Sequence, residues 1–126
     1  MAGLTLDSGA LIAFERADRR VMAHLKEADL RGAELTIPTA VIAEVWRGGA
    51  RSARVAALLE SCVVEALSEG PARRAGEAIG HVKGASVVDA VVMCSAAERG
   101  DRVLTSDFVD LDRLTAHFPG VRIVRL

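Results

Sequence analysis

The sequence predicts an α/β/α sandwich in which a mainly parallel sheet of roughly five strands lies between layers of helices. Short runs rich in apolar and β-branched residues alternate with helix-length stretches rich in Ala, Leu, Glu and Arg. Such alternation with short connections is typical of right-handed crossovers between parallel strands. Most of the short runs are also nearly continuous in apolar residues, as in strands that helices cover on both faces.

The strands are expected where Leu, Val, Ile and Thr are concentrated. In order along the chain, they are residues 3–6 (GLTL), 35–37 (LTI), 62–67 (CVVEAL), 102–105 (RVLT) and 121–125 (VRIVR). Each run is short and bounded by helix-length stretches, which is the pattern of strands in βαβ units.

The stretches between the strands are long enough for helices and contain mainly residues that favour them. They are residues 9–15, 19–31, 40–48, 51–60, 69–83, 87–99 and 108–117. Gly48 and Gly49 predict a break after the third of these helices. Because no linker, repeat or low-complexity tract interrupts the alternation, we expect residues 1–126 to form a single domain.

The composition excludes several classes of protein. The chain has 16 basic and 17 acidic residues, a formal net charge of -1 and 51% hydrophobic residues. Disorder and nucleic-acid binding by overall charge are therefore excluded. The longest apolar stretch, residues 87–97, is interrupted by Asp89 and is too short to cross a bilayer, and Asp7 lies where a signal peptide would be apolar. We expect a cytoplasmic protein, with the cysteines at positions 62 and 94 reduced.

Acidic residues occur at the ends of the predicted strands. Asp7 closes the first strand and Asp107 follows the fourth. Glu44 lies in the second turn of the helix after the second strand, and Asp89 opens the helix that precedes the fourth. Ligands of open parallel sheets collect at the carboxyl ends of the strands. The sequence thus predicts a cluster of acids at that edge, which Asp89 joins if its helix begins there.

Each acid also has a local explanation. Asp7 and Asp107 have the residue type and position of helix N-caps. Glu44 has Arg47 three residues further on, at a spacing that suits an ion pair on a helix face. Asp89 is the hardest to explain locally, because it lies in the most apolar helix of the chain and burial of a carboxylate is costly without a cation.

Taken together, the acids imply a hard cation. Four carboxylates at one edge would repel one another strongly unless Mg²⁺ or Mn²⁺ neutralises them. The oxygen-only ligand set disfavours zinc and iron, and the three histidines, His24, His81 and His117, are scattered over helices without ligand spacing. A site of this kind supports hydrolysis of a phosphodiester.

This ordered set of residues resembles the PIN-domain ribonucleases, and in particular the VapC-type toxins of bacterial and archaeal toxin-antitoxin pairs. The resemblance lies in the Asp that ends the first strand, the Glu in the helix after the second, Asp89 with Ala90 at the start of a late helix, and the run from Thr105 to Asp107 after the fourth strand. It extends over nearly the whole chain and includes the opening LDSGALIAF.

The resemblance implies a metal-dependent endoribonuclease with a PIN-like fold, which forms a homodimer and is silenced by a cognate antitoxin. The implied metal ligands and catalytic residues are Asp7, Glu44, Asp89 and Asp107. Either Thr105 or Ser106 is implied as a helper that orients a metal-bound water or the fourth acid. Asp110 is either an auxiliary ligand or a helix cap.

Two other function classes are open from the sequence. A metal-dependent phosphatase or phosphotransfer domain also places acids at strand ends, but the chain lacks a second Asp after Asp7 and a suitably placed Lys. A non-catalytic interaction module of the same fold would not need the acids. Trp46 lies on a different side of its helix from Glu44, so we interpret it as packing in the core or in a dimer interface.

Overall fold

The computed structural model of the protein describes residues 2–126 and contains a central sheet of five parallel strands. The strands are β1 (Leu4–Leu6), β2 (Leu35–Pro38), β3 (Val63–Glu65), β4 (Arg102–Thr105) and β5 (Arg122–Arg125). Their order across the sheet is β3-β2-β1-β4-β5, and each neighbouring pair is parallel. The predicted fold class is confirmed.

Helices connect the strands and cover both faces of the sheet. They are α1 (Ser8–Glu15), α2 (Arg19–Leu30), α3 (Thr39–Val45), α4 (Ala53–Leu59), α5 (Glu69–His81), α6 (Val87–Arg99) and α7 (Phe108–Leu114). Helix α1 packs against α2 and α4, whereas α6 packs against α5 and α7. From β1 to β3 the chain adds strands on one side of β1, and after β3 it returns to add β4 and β5 on the other side. Because the crossovers are right-handed, this change places the two groups of helices on opposite faces of the sheet.

The strand at one edge of the sheet is shorter and more exposed than the sequence predicts. Residues 62–67 were expected as a strand, but β3 contains three residues, and Val63 and Val64 are each 43% exposed. The expectation of burial on both faces is wrong for this strand. Because strand order puts β3 at the edge of the sheet, only β2 pairs with it.

Helix α3 ends three residues earlier than the predicted residue 48. It stops at Val45, and Gly48 and Gly49 have φ angles of +81° and +60°, which an α-helix that continued through them would not allow; a short 3-10 helix (Gly49–Ser52) follows. The Ser52 hydroxyl accepts two backbone N–H groups of this turn, at 2.9 and 3.0 Å. The predicted glycine break is confirmed. Trp46, at the end of α3, is 40% exposed, so its interpretation as a core residue is wrong.

Helix α6 has more buried residues than any other helix of the described chain. Residues 90–96 are all buried, and the helix packs across β1, β2 and β4. It begins after Ser86, whose hydroxyl accepts the Asp89 N–H at 3.0 Å, and ends at Gly100, which has a left-handed φ of +72°. None of the helices in residues 2–126 combines the length and the hydropathy that a membrane span requires.

A charged network that the sequence did not predict holds the carboxyl end of α6 against the sheet. The Arg99 guanidinium donates to Asp101 at 3.0 Å and to the Thr5 hydroxyl at 2.8 Å, and it forms an ion pair with Glu65. Thr5 in turn donates to Asp101 at 2.9 Å, and Ser95 donates to Glu65 at 2.7 Å. The network therefore connects α6 with β1, β3 and the start of β4.

We expect Arg99→Ala to destabilise the fold by about 3 kcal/mol, because Asp101, which is 6% exposed, would lose its cation. Urea unfolding followed by circular dichroism measures the change. The matched control is Arg73→Ala: its ion pair with Glu69 is exposed on both sides, so we expect a loss below about 0.5 kcal/mol. Equal losses in the two variants would contradict a structural role for the network.

Candidate active site

The parallel sheet brings Asp7 and Asp107 to the same edge. Asp7 directly follows β1, and Asp107 lies two residues after the end of β4, which is the neighbour of β1 in the sheet. Asp89 lies in the first turn of α6, and its charge acts on Asp7. Glu44 lies on α3, exposed, and its charge acts on Asp89. Asp89 therefore lies within electrostatic reach of the other three predicted residues.

Asp7 is a buried carboxyl that both caps α1 and belongs to the acidic cluster. It is 3% exposed, and its Oδ1 accepts the Ala10 N–H at 2.8 Å, so the predicted N-cap of α1 is present. Burial raises the pKa of Asp7 to about 6, although hydrogen bonds from Thr105 and from Ala10 lower it. The charges of Asp89 and Asp107 raise it further. Capping alone does not explain Asp7, because a helix cap does not require two further carboxylates, Asp89 and Asp107, beside it.

Asp89 connects the acids on the two sides of the site. Desolvation raises the pKa of its carboxyl, and a hydrogen bond with Ser86 opposes the shift. The negative charges of Asp107, Asp110 and Glu44 raise the pKa further. Of the acids in the cluster, Asp89 is thus the one that interacts with groups on both α3 and α7.

Asp107 and Asp110 form a pair. The hydrogen bond between their carboxyl groups raises the pKa of Asp107, followed by burial and by the charge of Asp110, and the charge of Arg113 opposes the shift. Asp107 is the N-cap residue of α7, and the backbone N–H of Asp110 lowers its pKa, so a capping role stays open for this residue beside its place in the cluster. Asp110 belongs to the cluster, because it interacts with both Asp107 and Asp89.

Of the two proposed helpers, Thr105 is placed among the acids. Its hydroxyl accepts the Asp107 N–H at 2.7 Å and also forms a hydrogen bond with Asp7, so one buried side chain connects both acids. Ser106 is exposed and lies against Gly9 of α1, where a Cβ on the glycine would overlap its hydroxyl. Ser106 therefore contacts the start of α1, whereas Thr105 bonds to the acids.

The proposed ion pair between Glu44 and Arg47 is absent. Because α3 ends at Val45, Arg47 lies outside the helix, and its guanidinium donates to the Trp46 carbonyl at 2.7 Å. The local explanation for Glu44 is therefore wrong. Its carboxylate is free to face the other acids.

The ligand set fits a hard divalent cation. The clustered groups carry only oxygen donors, and the negative charges of neighbouring acids help to raise the pKa of Asp7, Asp89 and Asp107, so a cation among them would relieve the repulsion. No three His, Cys, Asp or Glu side chains within residues 2–126 converge at metal-binding distance. Cation binding therefore requires side-chain rotation, which the exposed positions of Glu44 and Asp107 permit.

The histidines are less scattered than the sequence suggests. The rings of His81 and His117 stack, with 5.6 Å between their centroids. Neither ring is among the groups that perturb the pKa of the clustered acids. The prediction that the histidines do not act with the acids is consistent with this arrangement.

The structure adds Arg113 to the residues found from the sequence. Its guanidinium lies 3.9 Å from Asp110 Oδ1, and its charge lowers the pKa of Asp107. The spacing of Asp107, Asp110 and Arg113, three residues apart, places all three on one side of α7. That spacing was the signal in the sequence that could have identified Arg113.

Asp7 makes the metal-free protein sensitive to pH. Its pKa is about 6 in the folded state against an ordinary value of 3.8, so the folded state binds a proton more tightly than the unfolded state. The resulting contribution to stability is complete below about pH 4 and is lost as the pH rises through about 6.

In chelator, we expect Asp7→Asn to be more stable than the parent by up to about 3 kcal/mol at neutral pH and equally stable at pH 4. Asn retains the cap. Urea unfolding at both pH values measures the difference, and a neutral-pH loss of stability in the variant would contradict the prediction.

Solved structures similar to this chain include two VapBC complexes and one other toxin-antitoxin complex. VapBC2 from Rickettsia felis, bound to a DNA fragment from its promoter, has a TM-score of 0.79 and 12% identity, with 98% of each chain covered. DNA-bound VapBC from Salmonella typhimurium has a TM-score of 0.73 and 16% identity, covering 99% of this chain and 98% of the other. A toxin-antitoxin complex from Klebsiella pneumoniae has a TM-score of 0.72 and 19% identity, covering 97% and 96%. At these identities the likeness shows the fold.

The sequence itself matches a known family. No relative among the curated proteins matches the chain. The profile of the PIN domain family matches residues 4–115, which include every residue of the acidic cluster. Since this match covers most of the chain, the protein belongs to the PIN domain family.

Proposed function

We propose that the protein is a metal-dependent endoribonuclease and the toxin of a type II toxin-antitoxin pair. The observation that carries the proposal is the placement of Asp7, Asp89 and Asp107 close together at the carboxyl edge of the sheet, where burial and like-charged neighbours raise the pKa of each. A fold gains no stability from gathering acids in this way. Membership of the PIN domain family supports a nuclease as the reason for the cluster.

The proposed cofactor is Mg²⁺ or Mn²⁺, held by Asp7, Glu44, Asp89 and Asp107. When bound, such a cation activates water and stabilises charge on the attacked phosphoryl group. The residues of the chain prepare the site for it. Thr105 holds the Asp7 carboxyl and the backbone of Asp107 in place, and the first turn of α6 presents Asp89.

RNA as the substrate is the expectation from the resemblance to PIN-domain ribonucleases. A phosphotransfer site is less well supported, since it would need a lysine beside the phosphoryl group. The basic side chain near the acids in the structure is Arg113, which suits contact with a phosphodiester backbone better than covalent phosphotransfer. A non-catalytic module does not account for the cost of the acidic cluster.

We expect RNA cleavage to require Mg²⁺ or Mn²⁺ and to stop on addition of a chelator. Asp7→Asn and Asp89→Asn should each reduce the cleavage rate by more than about 100-fold, because each removes charge from the reacting site. Gel analysis of a labelled RNA measures the rate, and circular dichroism shows that the variants are folded.

The matched control is Asp112→Asn. Asp112 is exposed on α7, the helix of Asp110, and is not among the groups that perturb the clustered acids. It should cleave like the parent. If the Asp7 and Asp89 variants cleaved as fast as this control, the assignment of the site would be wrong.

The proposed partner is a cognate antitoxin, supported by similar solved structures that are toxin-antitoxin complexes. A groove of about 580 Å³ lies between α1, α2, α4 and the β2–β3 side of the sheet. It combines apolar and acidic side chains, among them Phe14, Met22, Leu25, Leu58, Asp29 and Glu60. An amphipathic segment with basic residues fits this lining.

The groove is also connected to the acidic cluster. Asp7 caps the start of α1, and Phe14, near the end of α1, lines the groove. A helix of this length extends roughly 12 Å, so a segment in the groove could continue to the acids. We propose that the partner places an arginine among the carboxylates there, which excludes the cation and pairs with the acids.

Met22→Glu should weaken inhibition by the partner without reducing cleavage by the free protein. Met22 lines the groove and is 41% exposed, so a carboxylate there would repel the acidic rim and the apolar face of the partner. Co-purification with the cognate antitoxin and titration of its inhibition measure the effect.

Leu30→Glu is the control for this variant. Leu30 lies on the same helix and is 79% exposed, but it does not line the groove. Changing the inserted arginine of the partner to Glu should abolish most of the inhibition. If Met22→Glu and Leu30→Glu were inhibited equally, the partner would bind elsewhere.

The homodimer and the cytoplasmic location stay predictions. Trp46 is exposed on the protomer, so it is available for the dimer interface that the sequence suggested.

A further inference from the structure

Arg113 lies at the border between the acidic cluster and the loop that joins α5 to α6. One of its terminal nitrogens is 3.9 Å from Asp110 Oδ1. On its other side lies Gly84, where a Cβ would be 3.2 and 3.3 Å from the two terminal nitrogens and 3.7 Å from Cζ. The two terminal nitrogens are nearest and Cζ lies behind them, so the guanidinium meets Gly84 end-on, with its terminal nitrogens toward the glycine.

Gly84 is suited to this contact in two respects. It has no side chain that would displace the guanidinium, and its φ of +79° is a conformation that other residues rarely adopt. It also lies two residues before Ser86, which caps the helix that carries Asp89. The contact therefore holds the Arg113 guanidinium beside the N-terminus of α6, close to the acidic residues of α6 and α7.

The hydrogen-bonding capacity of Arg113 is unused. A guanidinium has five N–H donors, but across residues 2–126 no hydrogen bond from this side chain is present, and 3.9 Å is too long for one to Asp110. The side chain is 43% exposed. Its terminal nitrogens are held toward Gly84, and none of its N–H groups forms a hydrogen bond within residues 2–126, so the exposed edge of the guanidinium is available to a phosphate.

We propose that Arg113, supported by Gly84, binds a backbone phosphate of the RNA adjacent to the phosphodiester that lies at the acidic cluster. The inference rests on the proposed function and deepens it, because it assigns a substrate-binding residue outside the acids. The contact recognises phosphate and not base, so it contributes equally to RNAs of any sequence.

A competing explanation is that Arg113 only balances the charge of Asp107 and Asp110. The two explanations predict the same change in metal binding when Arg113 is replaced, but different changes in RNA binding. Removing the positive charge strengthens binding of a cation to the acids under both explanations. It weakens RNA binding only if Arg113 contacts the phosphate.

The experiment compares Arg113→Gln with the parent in an Asp89→Asn background, in which RNA stays intact. Fluorescence anisotropy with a labelled single-stranded RNA oligonucleotide in Mg²⁺ gives the affinity over a range of salt concentrations. We expect Arg113→Gln to bind about tenfold more weakly. The slope of log K against log salt should fall by about 0.7, as for one lost contact to a single strand.

Two further variants sharpen the comparison. Arg113→Lys keeps the positive charge but lacks the planar guanidinium. The salt slope should therefore equal that of the parent, while the RNA affinity should stay below that of the parent. Arg73→Gln removes an exposed arginine that pairs with Glu69 on α5, and it should change neither quantity. Metal-induced stabilisation without RNA, measured by thermal melts in Mn²⁺, should increase in Arg113→Gln.

The outcomes separate this inference from the proposed function. Unchanged RNA affinity and salt slope in Arg113→Gln would overturn the phosphate contact, even if the parent cleaves RNA. Weaker binding with the reduced slope would support the contact. If the parent cleaved no RNA but the contact were present, the catalytic proposal would fail and the inference would stand.

Discussion

The parallel pairing of β1 with β4 is the constraint on which the site depends. Parallel neighbours end at the same edge of a sheet, so the residues that follow β1 and β4 meet although they are about a hundred positions apart in the sequence. Asp7 and Asp107 are brought together in this way, and Thr105 bonds to both. The helices then add Glu44, Asp89 and Asp110 around this pair.

The cluster is unfavourable for the metal-free fold, and the remainder of the protein offsets its cost. Buried carboxyls with like-charged neighbours hold protons more tightly than usual, which is the behaviour of groups placed for binding or catalysis. The stability comes from the apolar residues of α6 and the strands under it, and from the Arg99 network at the opposite end of α6. That network orients the helix that presents Asp89.

The surface proposed for RNA and the groove proposed for the antitoxin lie in different parts of the molecule and differ in charge. The acids occupy the carboxyl edge of the sheet, and Arg113 supplies positive charge at their border. The groove on the α1, α2 and α4 side has an apolar floor with acidic residues at its rim. Helix α1 connects these surfaces, since Asp7 caps its start and Phe14 near its end lines the groove. Substrate and inhibitor would thus approach from different directions.

The sequence by itself determined the fold class and brought Asp7 and Asp107 to one edge, because alternating strands and helices lead to a parallel sheet whose carboxyl ends coincide; the grouping of Glu44 and Asp89 with them was a prediction of the same pattern. It also predicted the break at Gly48 and Gly49, which depends on local backbone conformation. Tertiary structure decided the exposure of Trp46, the inclusion of Asp110, the choice of Thr105 over Ser106, and the pairing of Arg99 with Glu65. Each of these depends on strand order and on which side of a helix faces which neighbour, and such contacts join segments that no local pattern relates.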